Sequence, residues 1–380
     1  MKTGLEVFLE REYRKYKGAI LGLITNPSGV DRRLRSTIDL IYGHPELDLK
    51  LLFGPEHGVR GNWQAGVKVA DTLDENTGLL VKSLYGSSKH LSPEMINGLD
   101  VIIYDLQDVG ARYYTIIYTL AYALEGVKEA GKKMIVLDRP NPISPLDVAG
   151  NVIKDDYNSF VGGYRLPIVH GMTVGELAYY FNREFEIGAE LEVVKMEGWD
   201  HGQWYEETGL PWVYPSPNMP TVETAILYPG TCLFEGTNLS EGRGTTKPFE
   251  IIGAPWISAG QWAKELNSRG LPGVVFRPVY FSPTFSKYQG EQLEGVQVHI
   301  MNRKEIDPVR IGITMLASAF KNFPESAWID YDGEYFIDKL AGDDYLREGI
   351  NQGYGYSEIS KQWKEELTRF KKIREEYLLY

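Results

Sequence analysis

The sequence predicts an α/β protein: a parallel sheet with helices on both faces, then a smaller C-terminal α/β domain, with a cleft between the two. Three observations carry this. Apolar runs of strand length alternate with helix-length patterns through the first half of the chain. Run after run stops at a polar turn rich in Gly, Pro, Asn or Asp. And 380 residues are more than one small core organises, which suits two domains.

The first run, 19–25, ends at Asn26-Pro27-Ser28-Gly29 and is followed by a helical 36–42. Residues 50–53 form a second strand, and 79–85 a third closed by Gly86-Ser87-Ser88. The fourth, 100–104, runs into Asp105-Leu106-Gln107-Asp108-Val109-Gly110, and 111–130 then reads as one long helix stopped by Gly131. Lys133–Leu137 leads into Asp138-Arg139-Pro140-Asn141-Pro142, and 166–169 into His170-Gly171. Thr173 caps a helix through Phe181 with Glu176 at the capping-box position, and 191–195 closes the series. Strands alternating with helices imply right-handed crossovers and a doubly wound, Rossmann-like layer over 1–226. In such sheets ligands bind beyond the carboxyl ends of the strands. Asn26, Glu56, Asp105, Asp108, Asp138, Arg139 and His170 all follow predicted strand ends, so one cleft can collect them.

Residues 199–218 are dense in Trp, Tyr and Pro and read as an ordered aromatic lid or an inter-domain crossing. The second domain spans 227–380, with helical 308–320 and a charged helix over 357–377.

Acidic residues outnumber basic ones 52 to 40, a formal charge of −12, which argues against nucleic-acid or anionic-membrane partners. A local arginine cluster can still hold an anionic small molecule. Cys232 is the one cysteine, in an apolar setting, so neither a disulfide framework nor a cysteine zinc site is expected. No apolar stretch reads as a membrane span or signal peptide, and the chain as written is expected to be cytoplasmic, or secreted or periplasmic where a signal sequence has been removed.

No G-x-G-x-x-G fingerprint follows the first strand, and Walker A, G-x-S-x-G and H-E-x-x-H patterns are absent, so no nucleotide, cofactor or metal is expected. Carboxylates with arginines remain. Residues 51–61, LLFGPEHGVRG, place Glu56, His57 and Arg60 in a glycine-punctuated turn after an apolar strand. Glycoside hydrolysis needs a protonated acid for the leaving oxygen and a second group to assist the nucleophile. Partial burial suits Glu56 to the acid role, with Asp105, Asp108 or Asp138 as the charged partner. Arg60, Arg112, Arg139 and Arg243 are candidate clamps for an anionic group. In 234–244, FEGTNLSEGRG, Glu235 is a candidate second acid, and Asn238 and Arg243 are candidate binders. Two other readings stand beside this one. Asp138-Arg139 can be a local ion pair and Asp105 a helix cap, and His57, Asp105, Asp138 and His170 could instead serve a metal-dependent hydrolase.

Four stretches together, 51–61 (LLFGPEHGVRG), 104–114 (YDLQDVGARYY), 137–142 (LDRPNP) and 234–246 (FEGTNLSEGRGTT), resemble the exo-β-N-acetylmuramidases of the NamZ type, as does 336–342 (FIDKLAG). The likeness spans nearly the whole chain. It implies a Rossmann-like N-terminal domain, a smaller C-terminal domain and a cleft between them. It further implies release of terminal N-acetylmuramic acid from the non-reducing end of peptidoglycan fragments, without metal or nucleotide. Carried over, Glu56 is the essential acid, with Asp105, Asp108 and Glu235 as candidates for the second catalytic group. Asn26, His57, Arg60, Gln107, Arg112, Tyr114, Asp138, Arg139, Asn141, His170, Asn238 and Arg243 are the expected substrate contacts. A non-catalytic cell-wall sugar-binding protein is the remaining alternative.

Overall fold

The computed structural model describes residues 1–55, 58–61, 71–84 and 90–380. Helix α1 (Gly4–Glu10) precedes β1 (Ile20–Thr25), followed by α2 (Thr37–Tyr42), β2 (Asp48–Gly54), β3 (Thr72–Leu73), β4 (Leu80–Ser83) and β5 (Val101–Asp105). Then come α3 (Ile116–Glu129), β6 (Lys133–Leu137), β7 (Ala149–Val152), β8 (Pro167–Val169), α4 (Val174–Glu184) and β9 (Glu190–Val194). The main sheet has the order β3-β4-β2-β1-β5-β6-β9. All its neighbours are parallel except β3 with β4, so the sheet is mixed. The parallel strands alone run 3-2-1-4-5-6 in chain order, the doubly wound arrangement, with the switch point between β1 and β5.

Side-chain alternation divides the core between the two faces. Leu21, Leu23, Val101, Ile103, Ile135 and Leu137 pack with Leu5 and Phe8 of α1 and Ile38 and Ile41 of α2. Ile24, Ile102, Tyr104, Met134 and Val136 point the other way, into a cluster with α3 and α4 that continues into the second half of the chain. That is why these strands read as unbroken apolar runs: both faces are covered.

The second half contains α5 (Val222–Thr231), β10 (Ile251–Ala254), α6 (Ala259–Ser268), β11 (Val274–Phe281), β12 (Leu293–Ile300) and α7 (Pro308–Asn322). It ends with α8 (Phe336–Ala341), α9 (Tyr345–Asn351), α10 (Tyr356–Ile359) and α11 (Lys364–Glu375). Strands β10, β12 and β11 form an antiparallel sheet. Helices α5 and α7 cross almost backbone on backbone, since a Cβ on Gly230 would lie 1.8 Å from Pro308 O and one on Gly312 2.2 Å from Gly230 O.

Three expectations need correction. The run 166–169 does not join the parallel sheet; β8 pairs antiparallel with β7 in a separate ribbon. The helix expected from 111 begins at Ile116, because Ala111 bridges Val169 and Arg112 N–H donates to Ile168 O, pinning 111–112 to that ribbon. The C-terminal helix is broken into α10, a 3₁₀ turn (Ser360–Trp363) and α11. The Thr173 cap is present as expected: Glu176 N–H donates to Thr173 Oγ1, and Thr173 N–H to the Glu176 carboxylate. The third predicted strand is β4, which ends at Ser83; the turn expected at 86–88 lies outside the described residues. Among the described residues no helix is long and apolar enough to cross a membrane.

Candidate active site

The carboxyl ends of β1 and β5 lie side by side, with Thr25 opposite Asp105 in the register. In a nucleotide-binding sheet this switch point would be an open crevice. Here the chain fills it. Tyr205, Leu210, Pro211 and Val213 close over Ser28, Gln107 and Arg139, leaving about 10 Å³. The Asn26 amide donates to Pro215 O at 3.0 Å and its oxygen accepts from Ser28 N–H at 2.9 Å, so Asn26 holds this segment down. The aromatic stretch is thus an ordered cover, with Trp212 Nε1 donating to Met219 O at 3.1 Å.

Most of the polar strand ends form the framework beneath that cover. Asp105 is wholly buried and receives Arg139 through both oxygens, at 2.5 and 2.9 Å, together with the Thr37 hydroxyl. A carboxylate so engaged has no free edge for a substrate, and Arg139, 4% exposed, has none for an anion. The expectation that Arg139 binds substrate is therefore corrected to a buried bidentate pair. Arg112 was a candidate clamp. It is fully buried, and its guanidinium donates instead to the carbonyls of Asn151, Leu166, Leu340 and Ala341 at 2.6–2.9 Å. Arg60 pairs with Asp39 of α2 and with Asp74, each through 2.8 Å bonds. Asn141 closes an Asx turn onto Ile143 N–H and donates to Met172 O. Asn238 binds Glu325 O and Ala327 N–H. Gln107 donates to Asp108 O and Pro140 O.

Asp138 is the hub of another framework cluster. Its oxygens accept from the N–H groups of Arg139 and Gly175 and from the hydroxyls of Thr173 and Tyr380, all within 3.0 Å. Burial, reinforced by nearby Glu176, pushes its carboxyl from the ordinary value up to about 7. The native state therefore binds this proton more tightly than the unfolded chain does. The stabilisation from the protonated form is complete below the ordinary value of 3.8 and is lost as pH rises through about 7. Denaturant titrations should accordingly show the wild type losing stability between about pH 4 and 7 relative to Asp138→Asn, with equal slopes against pH as the contrary result.

Asp108 and His170 form a buried pair. Asp108 accepts from Gly110 N–H at 2.7 Å, and His170 Nε2 lies 3.2 Å from its other contact, the same Oδ2. Met172 N–H donates to His170 Nδ1, and Nε2 faces Asp108 without hydrogen-bond geometry among the described residues. Asp105, Asp138 and His170 thus have separate partners, and among the described residues no group of three His, Cys, Asp or Glu could hold a metal ion. Glu56 and His57 lie outside the described residues.

Three of the family-like stretches, 51–61, 104–114 and 234–246, do meet, at a cavity of about 240 Å³ lined by Pro55, Tyr113, Tyr114, Tyr228, Glu235 and Arg243, with Pro215, Ser216 and Asn218 of the cover at its rim. Pro55 is the residue before Glu56, and its carbonyl accepts from Gly58 N–H at 3.0 Å. The floor is aromatic. Tyr228 stands edge-on to Tyr113, Tyr114 and Phe249, and Arg243 lies 5.0 Å over the Phe249 ring. Arg243 Nε donates to Glu235 Oε1 at 3.0 Å. Burial raises the Glu235 carboxyl above the ordinary range although Arg243 pulls it down, and Glu241 adds to the rise. Larger hollows of about 730 and 880 Å³ lie elsewhere, and none of the candidate catalytic or substrate-binding residues lines either. The second contains a Ser144–His201–Glu176 chain with links of 2.8 and 2.9 Å. Its glutamate also caps α4 and holds Leu379 N–H, which makes the chain a staple for the C-terminal segment.

Sequence reasoning singled out Glu235, Arg243 and Tyr114, which line this cavity, but not Lys287. That side chain reaches the 234–244 loop from a segment with no recognisable pattern.

Family models described as "Exo-beta-N-acetylmuramidase NamZ, N-terminal" and "C-terminal" match residues 21–223 and 226–380. A peptidoglycan β-N-acetylmuramidase NamZ of Bacillus subtilis (strain 168) is 47% identical over 380 residues, covering 100% of this chain and 91% of that protein. Crystal structures of two DUF1343 family proteins from Bacteroides fragilis NCTC 9343 superpose with TM-scores of 0.92 and 0.80 at 38% and 30% identity, each covering 100% of this chain and 98% of theirs.

Proposed function

Because the chain belongs to the exo-β-N-acetylmuramidase NamZ family, we propose that it is an exo-acting glycoside hydrolase releasing terminal β-1,4-linked N-acetylmuramic acid from the non-reducing end of peptidoglycan fragments. The observation that carries this reading is the cavity where Pro55, Tyr114, Glu235 and Arg243 converge. An aromatic floor suits the apolar face of a sugar ring, and a carboxyl and a guanidinium at the wall suit its reacting and charged groups. The C-terminal domain, taken from 227, supplies that wall.

Glu56 protonates the leaving glycosidic oxygen; its covalent neighbour Pro55 lines the cavity, which supports this assignment. Glu235 is the second carboxyl and assists the nucleophile, since it lines the same cavity and burial makes its carboxylate a stronger base than an exposed one. Asp105 and Asp108 serve the framework. Of the four arginines, Arg243 alone lines this cavity, and we assign it the lactyl carboxylate that distinguishes muramic acid from glucosamine. Its Nη1 makes no hydrogen bond among the described residues.

The test is selectivity. Arg243→Ala should reduce the ratio of kcat/KM on a chromogenic N-acetylmuramide to that on the matching N-acetylglucosaminide by about 10- to 100-fold, the worth of one charged hydrogen-bonding group. An unchanged ratio would remove Arg243 from carboxylate recognition.

A further inference from the structure

The Glu235–Arg243 wall is one half of a longer chain of charges. Arg243 Nε lies 3.4 Å from Glu241 Oε1, and the other oxygen of Glu241, itself 2% exposed, accepts from Lys287 Nζ at 2.9 Å. Lys287 has two more acceptors, Phe234 O at 2.9 Å and Leu239 O at 3.0 Å, with Glu235 O at 3.4 Å. An ammonium group carries three protons, and the three shortest contacts use all of them on the loop that holds Glu235 and Arg243. The segment around Lys287 is fitted to this loop in other ways. Thr284 donates to Gly244 O through both its N–H and its hydroxyl, and Tyr288 OH donates to Asn238 O. Ser286 and Tyr288, on either side of Lys287, both hold left-handed backbone with φ of 71° and 57°. Side-chain-bearing residues are strained there, so the contacts they make hold the segment against its own preference.

We propose that Lys287 is a positioning residue of this site: it staples the loop bearing Glu235 and Arg243 and, by neutralising Glu241, leaves the charge of Arg243 to act on Glu235. The proposal rests on the reading of Glu235 as the second carboxyl. Without Lys287, the Glu241 charge would compete for Arg243 and also act directly on Glu235. The described groups facing Glu235 are Arg243, Glu241 and Lys287, with Tyr113, Tyr228 and Cys232, which burial keeps neutral. Arg243 and Lys287 lower the Glu235 carboxyl, and Glu241 raises it.

The sign of the effect separates this role from simple loop support. A base that must be ionised sets the acid limb of the pH–rate profile. Lys287→Met should move that limb up by about half a pH unit or more, and Glu241→Gln should move it down, while Lys287→Arg keeps it at the wild-type position. Limbs that coincide in wild type and Lys287→Met, or that shift the same way in Lys287→Met and Glu241→Gln, would overturn the proposal. Should Lys287→Met fail to fold, Lys287→Gln decides, with the same upward shift expected and a limb at the wild-type position as the contrary result. The infrared carboxylate band that disappears in Glu235→Gln reports the same titration without turnover. A chain that releases no muramic acid would thus refute the activity, while that band still tests the charge relay.

Discussion

Arg112→Met is expected to leave little folded protein at 37 °C, a larger loss than any change at the cavity wall would cause. The guanidinium lies wholly inside the protein and joins the β7–β8 ribbon, through Asn151 O and Leu166 O, to α8, through Leu340 O and Ala341 O. Methionine fills the space of the stem but leaves these carbonyls without Arg112. Each stranded acceptor costs roughly 1–3 kcal/mol, and two of them, added to the packing lost around the buried head group, take a large share of the total stability of a typical domain, about 5–15 kcal/mol. Asn151 also donates to Ala341 O and Ile153 N–H to Leu166 O, so those two carbonyls keep a partner. Arg112→Lys, with one charge and three donors, should fall between. Urea midpoints of the three proteins check this, and a Met variant within about 1 kcal/mol of wild type would contradict the role given to Arg112.

Glu56→Gln is expected to fold like the wild type and to lose about 10²- to 10⁴-fold in kcat, the usual contribution of a positioned proton donor. Glutamine keeps the size and hydrogen-bonding edge of the side chain but has no proton to give the leaving oxygen. Substrates with an activated phenolate leaving group need less protonation, so the loss should be smaller on a nitrophenyl muramide than on a disaccharide. Equal losses on both would assign Glu56 to binding or to the nucleophile, not to proton donation.

Much of the fold was legible because its cause is local. Unbroken apolar strands announce a sheet covered on both faces, and Thr173 with Glu176 announces a helix start. The failures came where distant segments decide. Nothing in 111–115 shows that Ala111 and Arg112 are held by β8, and nothing in 166–169 distinguishes a ribbon strand from a sheet strand. The site was legible as a set of loops but not as a division of labour. Position after a strand end marked Asn26, Asp105, Asp138 and Arg139 as polar residues at one sheet edge, yet the cover over 205–217 closes over Asn26 and Arg139, while Thr173, Gly175 and Tyr380 engage Asp138. The cavity lies to one side, where the second half of the chain contributes Glu235 and Arg243. Lys287 was illegible because its role depends on a contact 46 residues away from Glu241.

The most direct measurement of the central claim is product analysis after incubation with two defined peptidoglycan saccharides lacking peptide stems. One carries N-acetylmuramic acid at its non-reducing end, and the other carries N-acetylglucosamine there. The wild-type protein should release free N-acetylmuramic acid from the first and nothing from the second, and Glu56→Gln should release it only at the reduced rate given above. Internal cleavage of either saccharide, or no free muramic acid from the first, would contradict an exo-acting muramidase.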